Sequence, residues 1–219
     1  MHYVYTIVER IQSFIQEQPL ATSALEIDGY WRLIVDGNKW PRYMNHINGF
    51  LREDDTGTQL ALTTESFWEF LNKKTYHEYV LPRVTKFLQT YTFAEAESAL
   101  LCQSFWEGAY LRSWEKMCSC RLEPFLKTYS TAKVALSKNG FWKLICQVEI
   151  NQWSKILVLI KSFHDRYPSN YFLALGTESF WSFINTANWY YVVTHAGAFF
   201  RLYPNAVEST MGLDDSGKL

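Results

Sequence analysis

Histidine is the side chain that most often binds a metal or moves a proton at neutral pH, and this chain spaces its histidines far apart. The five histidines are His2, His46, His77, His164 and His195. None forms a His-x-x-x-His or His-Glu-x-x-His pattern, so a metal site would have to be assembled from distant parts of the chain. We therefore predict surface or helix-capping histidines, and no metal site.

The cysteines show no pattern of a metal site or a disulfide scaffold. They are Cys102, Cys118, Cys120 and Cys146, with no Cys-x-x-Cys pair among them. Cys118 and Cys120 fall on a predicted helix, where residues two apart point to different sides. The pattern favours free thiols. A cysteine nucleophile with a histidine and an acid stays an open alternative, because such partners meet only in the fold.

Other catalytic signatures are missing as well. The sequence has no Gly-x-Ser-x-Gly elbow and no phosphate-binding glycine loop. Its paired carboxylates are typical of solvated turns, helix faces and tails; they are Asp54 with Asp55, Glu95 with Glu97, and Asp214 with Asp215. We predict no catalytic residue and no cofactor, which makes an enzyme the less favoured class.

Charge and hydropathy narrow the possible partners and location. The 219 residues include 21 basic and 22 acidic side chains, for a formal net charge of −1. A basic footprint for phosphate backbones is absent, so nucleic acid is an unfavoured partner. The longest apolar runs, such as residues 156–160 and 189–193, are far shorter than the roughly 18 residues of a membrane span. The N-terminus lacks the pattern of a secretory signal. These features favour the cytoplasm, with export by a signal-independent route as an open alternative.

One pattern occurs five times: Ala-Leu, four residues, then an aromatic residue and tryptophan, here called the Ar-Trp motif. The aromatic pairs are Tyr30 and Trp31, Phe67 and Trp68, Phe105 and Trp106, Phe141 and Trp142, and Phe180 and Trp181. Successive tryptophans are 37, 38, 36 and 39 residues apart. A fixed period of this size is the signature of a stacked repeat architecture.

Helical periodicity and turn residues predict the elements of each repeat. The residue before the aromatic is Gly29, Ser66, Ser104, Gly140 or Ser179, which predicts a helix N-cap at that place. The helix that carries the Ar-Trp motif, here called the motif helix, is followed by a second amphipathic helix. Pro82 and Pro124 are expected to bend two of these second helices. A short third segment ends at the next Ala-Leu.

The predicted fold is all-α, a right-handed solenoid of about five repeats of ~37 residues with two to three helices each. A single domain spans residues 1–212, and residues 213–219 form a flexible tail. Residues 1–25 form an N-terminal capping half-repeat, and the repeats are residues 26–63, 64–101, 102–137, 138–176 and 177–212. The chain resembles α-solenoids in general; it lacks the tetratricopeptide and ankyrin patterns and the basic reading helices of Pumilio-type repeats.

The ten aromatic residues of the Ar-Trp motif are predicted to form the structural core between repeats, because a single three-helix unit cannot bury its apolar faces alone. An exposed aromatic ladder for bases or sugars is the alternative, and the charge balance disfavours it. The predicted function is a protein- or peptide-binding module. Its candidate contact residues are Tyr43, Tyr79, Tyr110, Tyr190 and Tyr191, since tyrosine is enriched at binding hot spots. An enzyme with its site in the concave groove and a structural subunit of a larger assembly are the alternatives, and the oligomeric state is left open.

Overall fold

The computed structural model describes residues 2–185 except residues 37–38, 54, 74–76, 93, 148–149, 167 and 169–170. Across these residues every regular element is a helix, so the all-helical class predicted from the sequence is confirmed for this part of the chain. No helix within it is both long and apolar enough to cross a membrane. The second and third elements of the last predicted repeat, and the predicted tail, lie outside the described residues.

The chain divides into two compact units, Met1–Tyr110 and Leu111–Leu219. The α-helices of the first unit are α1 (His2–Glu17), α2 (Asp28–Ile34), α3 (Trp40–Glu53), α4 (Asp55–Leu62), α5 (Glu65–Lys73), α6 (His77–Thr90), α7 (Ala94–Glu97) and α8 (Gln103–Tyr110). Those of the second unit are α9 (Trp114–Met117), α10 (Glu123–Thr128), α11 (Asn139–Gln147), α12 (Ile150–Arg166), α13 (Tyr171–Leu175) and α14 (Glu178–Asn185). Short 3₁₀ helices cover Pro19–Glu26, Ser98–Leu101 and Ser130–Ser137.

Helices that carry or follow successive Ar-Trp motifs pack on each other inside each unit. In the first unit the motif helix α2 packs against α5, and α5 packs against α8. The second helices α3 and α6 are also in contact, and α4 packs against the 3₁₀ segments of its neighbours. In the second unit the motif helix α11 packs against α14. The same kind of neighbour therefore recurs at the sequence period.

The indole of every Ar-Trp motif has a backbone partner that the spacing of the motif explains. Each Nε1–H donates to the carbonyl of the leucine six residues earlier. The distance is 2.7 Å for Trp31 to Leu25, and 2.8 Å for Trp68 to Leu62, Trp106 to Leu100, Trp142 to Leu136 and Trp181 to Leu175. A buried indole N–H needs such an acceptor. An insertion between leucine and tryptophan would separate donor from acceptor, which explains the fixed length.

The alanine of the motif turns the chain into the motif helix. Each motif alanine is at most 1% exposed, and its carbonyl accepts the backbone N–H of the residue three positions later at 2.9–3.1 Å. These alanines are Ala24, Ala61, Ala99, Ala135 and Ala174. A larger side chain would have no room at a fully buried turn. The Ala-Leu pair therefore supplies a tight turn and the indole acceptor together.

The aromatic ring of one motif contacts the tryptophan of the next. Ring centroids are 5.2 Å apart for Tyr30 and Trp68, 5.2 Å for Phe67 and Trp106, and 4.8 Å for Phe141 and Trp181. Trp68, Trp106, Trp142 and Trp181 have no exposed surface, and neither have Tyr30, Phe67, Phe105 and Phe141. Trp31 is 39% exposed, and Phe180 is half-buried. Each buried indole removes about 200 Å² from water, so these contacts dominate the packing between motif helices.

The predicted N-caps of the motif helices are wrong by two residues. The helices begin at Asp28, Glu65, Gln103, Asn139 and Glu178, which places the predicted cap residues inside the first turn. Gly29 and Gly140 are small because the next motif helix approaches closely. A Cβ added at Gly29 would lie 2.7 Å from the Cβ of Trp68, and one at Gly140 would lie 2.9 Å from the Cβ of Trp181. Ser66 is a donor here, not a cap, and its hydroxyl bonds the Leu100 carbonyl at 3.2 Å.

The prolines of the second helices have different local consequences. Pro82 lies inside α6, which continues as an α-helix from His77 to Thr90. Pro124 lies in the first turn of α10, immediately after a π-helical turn over Cys118–Leu122. Proline cannot donate the backbone hydrogen bond of a regular helix, and a π turn is a common place for a helix to change direction. The second helix that follows the third Ar-Trp motif is thus divided into α9, the π turn and α10.

Candidate functional site

Two of the five candidate contact tyrosines come together on the first unit. Tyr79 lies on the second helix α6, and Tyr110 ends the motif helix α8 of the following repeat. Their ring centroids are 6.0 Å apart, with the planes tilted by 32°. The Cζ of Arg83 lies 5.0 Å from the centroid of the Tyr79 ring. We call Tyr79, Arg83 and Tyr110 the tyrosine–arginine cluster.

Arg83 fixes the geometry of this cluster. It lies one turn after Tyr79 on α6, and its Nη1 donates to the carbonyl of Ala109 at 2.9 Å. Ala109 is in the last turn of α8, where backbone carbonyls have no partner within the helix. The guanidinium therefore binds the end of α8 and covers the Tyr79 ring at the same time. Tyr110 is held next to Tyr79 because α6 and α8 are joined at this point.

The same contact occurs twice more, and sequence reasoning missed it. Arg10 of α1 donates to the carbonyl of Ile34 at 2.7 Å, and Arg121 of the π turn donates to the carbonyl of Ile145. In all three cases an arginine lies 21 to 23 residues before a motif tryptophan and bonds the end of that motif helix. A recurrent arginine at a nearly fixed distance from the Ar-Trp motif is the sequence signal that could have found it.

Exposure separates the candidate tyrosines further. Tyr79 is 39% exposed and Tyr110 is partly exposed, so both rings offer surface to a partner. Tyr43 is 5% exposed, and burial raises the pKa of its hydroxyl, so its ring offers little contact area. Tyr190 and Tyr191 lie outside the described residues. The structure thus brings Tyr79 and Tyr110 together and leaves Tyr43 inside the core.

Chemically, the tyrosine–arginine cluster combines two phenol rings with one guanidinium group. It presents two flat aromatic faces with polar edges and one permanent positive charge. Aromatic and arginine side chains carry much of the binding energy at protein interfaces.

A second cluster of titratable side chains lies on the second unit. His164 of α12 is in edge-to-face contact with Tyr171 at 4.5 Å, and its ring centroid is 5.9 Å from that of Tyr129. The His164 Nδ1 is 3.3 Å from a carboxylate oxygen of Asp165. The Lys161 ammonium donates to the same carboxylate. Tyr171 also shares a hydrogen bond with the hydroxyl of Thr131.

The charged side chains of this cluster are largely exposed to solvent. The side chains of Lys161, Asp165 and His164 are 65%, 53% and 38% exposed. The hydrogen bond from Lys161, followed by that from His164, lowers the pKa of the Asp165 carboxyl. The bond to Asp165 raises the pKa of Lys161, and burial raises the pKa of Tyr129. An exposed lysine–aspartate pair one helical turn apart is typical of a surface ion pair, which contributes little.

The remaining histidines and cysteines do not converge in the described part of the chain. No group of three or more His, Cys, Asp or Glu side chains there could hold a metal ion. His46 is half-buried, and nothing is described for the side chains of His2, His77 and His195. Cys102 is buried, Cys120 is exposed, and the Sγ of Cys146 lies 3.4 Å from the Sδ of Met117.

The described residues therefore define an all-helical protein with recurrent motif-helix contacts and an exposed tyrosine–arginine cluster. No family model, curated protein or solved structure matches the chain.

Proposed function

We propose that the chain is a protein- or peptide-binding module built as a right-handed α-solenoid of about five repeats, with the tyrosine–arginine cluster as its contact site. Support for the repeat arrangement comes from the motif helices, which make the same contacts at each sequence period within a unit. Stacked repeats of this kind present extended surfaces to partners.

One observation carries the binding proposal. Tyr79 and Tyr110 come from different repeats and are 31 positions apart in the sequence, yet their rings lie 6.0 Å apart on an exposed surface. Tyr79 keeps 39% of its surface in water although the chain buries almost all of its motif aromatics. A large aromatic ring held rigidly at the surface can bind a partner with little loss of side-chain entropy.

The enzymatic alternative has less support. Catalytic groups are usually shifted in pKa by burial and by a specific charged neighbour within a cleft. The His164 cluster has the charged neighbours, but the side chains of Lys161, Asp165 and His164 are 38–65% exposed. The arrangement supports a surface ion pair better than an active site.

Affinity capture from the native cell extract tests the proposal. The immobilised chain is compared with the double variant Tyr79→Ala, Tyr110→Ala and with Phe172→Ala as matched control. Phe172 is also 39% exposed, but it lies on the second unit. We expect the double variant to lose the captured protein by about 30-fold, as for a hot spot, and the control to keep it. Equal capture by all three would contradict the proposal.

Arg83 is unsuitable for this test. Its removal would leave the Ala109 carbonyl of α8 without its side-chain donor, and it would alter the packing between α6 and α8. A loss of capture could then reflect a displaced helix instead of a lost contact. The tyrosine substitutions avoid this because both rings are already in contact with solvent.

A further inference from the structure

Neighbouring motif helices meet through two different faces. Each motif helix begins with four residues in the order first residue, small residue, aromatic residue and tryptophan. We call the first residue and the tryptophan the acceptor face. We call the small residue and the aromatic residue the donor face. Between α2 and α5, the Gly29 N–H donates to Glu65 Oε2 at 3.3 Å while the Tyr30 ring contacts Trp68. The donor face of one helix therefore fits the acceptor face of the next.

The second unit repeats this geometry. The Gly140 N–H of α11 donates to Glu178 Oε1 of α14 at 2.6 Å, and the Phe141 ring contacts Trp181 at 4.8 Å. In both pairs an acidic residue at the start of one helix accepts from the amide of a glycine in the preceding motif helix. The α2–α5 and α11–α14 interfaces thus share the same two contacts.

The acceptor face of α2 is open. Its members are Asp28 and Trp31, which correspond to Glu65 and Trp68 of α5. Asp28 is exposed, and Trp31 is 39% exposed, while the other four motif tryptophans have no exposed surface. The Trp31 N–H already bonds Leu25, so the indole is held in the same orientation as in the covered motifs.

The donor face of α14 also keeps exposed surface among the described residues. It consists of Ser179, which is exposed, and Phe180, which is half-buried. The aromatic residues of the other four motifs have no exposed surface. Within the described residues, one chain therefore presents exposed surface on both the acceptor face of α2 and the donor face of α14.

We propose that a second copy of this chain covers the acceptor face, with α14 of one copy docked on α2 of the other in the geometry that joins α2 to α5. Phe180 would lie against Trp31, and Ser179 would bring the amides at the start of α14 to the Asp28 carboxylate. A negative side chain is favourable at the start of a helix. The contact uses different surfaces on the two copies. Each added copy therefore leaves one acceptor face and one donor face free at the ends of the assembly.

Sedimentation or light-scattering mass over a concentration series tests this association. The wild-type chain should exceed its monomer mass of 25.8 kDa increasingly as concentration rises. Trp31→Glu blocks the acceptor face, and Ser179→Glu adds bulk and a negative charge that faces Asp28. Each variant alone should stay monomeric, with association weakened by roughly 30-fold or more.

Mixing the two variants is the decisive step. The Trp31→Glu copy keeps its donor face and the Ser179→Glu copy keeps its acceptor face, so together they should form a one-to-one dimer that does not grow. A wild-type chain that stays monomeric, variants that still associate alone, or a mixture that stays monomeric would each overturn the proposal. If Trp31→Glu fails to fold, Asp28→Lys replaces it in the single-variant measurement, because Asp28 is exposed.

A control separates this association from the proposed binding function. The double variant Tyr79→Ala, Tyr110→Ala changes neither α2 nor α14 and should associate as the wild-type chain does. If this variant also became monomeric, the association would run through the tyrosine–arginine cluster, and the docking of α14 on α2 would be refuted.

Discussion

Tyr30 is the one aromatic residue of the five Ar-Trp motifs that carries a hydroxyl group. Its ring is fully buried between Phe14, Trp40 and Trp68. Among the described residues, the hydroxyl has no hydrogen-bond partner. A buried hydroxyl without a partner is destabilising, because it has lost its bonds to water and gained none in exchange.

Tyr30→Phe should therefore stabilise the chain. It restores the residue type of the other four motifs and removes the unpaired hydroxyl, for an expected gain of about 1 kcal/mol in the free energy of unfolding. Urea denaturation at neutral pH measures this gain. Tyr129→Phe is the control. If Tyr30→Phe lost as much stability as Tyr129→Phe, or more, the buried Tyr30 hydroxyl would not be destabilising.

The gain should grow at alkaline pH. Burial raises the pKa of Tyr30 well above its ordinary value of 10.0. Above pH 10 the unfolded chain loses the Tyr30 hydroxyl proton, whereas the folded chain keeps it. The free energy of unfolding therefore falls by up to about 1.4 kcal/mol per pH unit. This pH-dependent penalty is absent below pH 10 and grows as the pH rises toward the folded pKa. The Phe variant lacks this dependence.

At the scale of helices, close approach of motif helices explains residue choices that look like capping. Gly29 lies where a Cβ would be 2.7 Å from the Cβ of Trp68 and 3.1 Å from a Glu65 oxygen. Gly49 on α3 offers a matched comparison, since an added Cβ there would have no atom within 4 Å. The two glycines differ in their neighbours and share their helical setting.

Substituting both glycines should have opposite effects. Gly29→Ala forces α2 and α5 apart at a cost of about 1–3 kcal/mol, which exceeds the roughly 1 kcal/mol that alanine adds to helix propensity. Gly49→Ala keeps only that gain and should stabilise by up to about 1 kcal/mol. Thermal unfolding followed by circular dichroism compares the two. A stabilised Gly29→Ala would show that the helices do not need glycine to pack.

The presence of the motif helices and their spacing along the chain were predictable from the sequence. The contacts that these helices make through backbone atoms were not. The Ar-Trp spacing predicted the motif helices, because apolar residues at helical period must share a core. The N-caps were misplaced since glycine and serine suit both a cap and a close helix contact, and Gly29 serves the second purpose. The Leu62 carbonyl as the partner of Trp68 depends on the shape of the turn, which side-chain types do not encode.

The candidate site was predictable only in part. Tyr79 and Tyr110 were singled out for residue type, but their pairing depends on how α6 crosses α8. Arg83 was missed because its signal lies in the spacing that it shares with Arg10 and Arg121, and not in any local motif around it. Tyr43 has the same residue type as Tyr79 and is buried, since its position on α3 faces the core.

For the whole molecule, the account depends on the motif tryptophans acting as internal connections between successive motif helices. Trp68 is fully buried, bonds the Leu62 carbonyl and contacts rings from α1 and α2. Trp31 makes the equivalent bond to Leu25 but is 39% exposed. The two indoles belong to the same unit and differ mainly in what covers them.

Denaturant unfolding of the Trp68→Phe and Trp31→Phe variants, compared with each other, tests this role of the motif tryptophans most directly. Trp68→Phe leaves the buried Leu62 carbonyl without its donor and a gap beneath Tyr30, so we expect a loss of about 1–3 kcal/mol. Trp31→Phe leaves the Leu25 carbonyl near water and should cost less than about 1 kcal/mol. Equal losses in both variants, or a larger loss in Trp31→Phe, would contradict the claim that these indoles join successive motif helices.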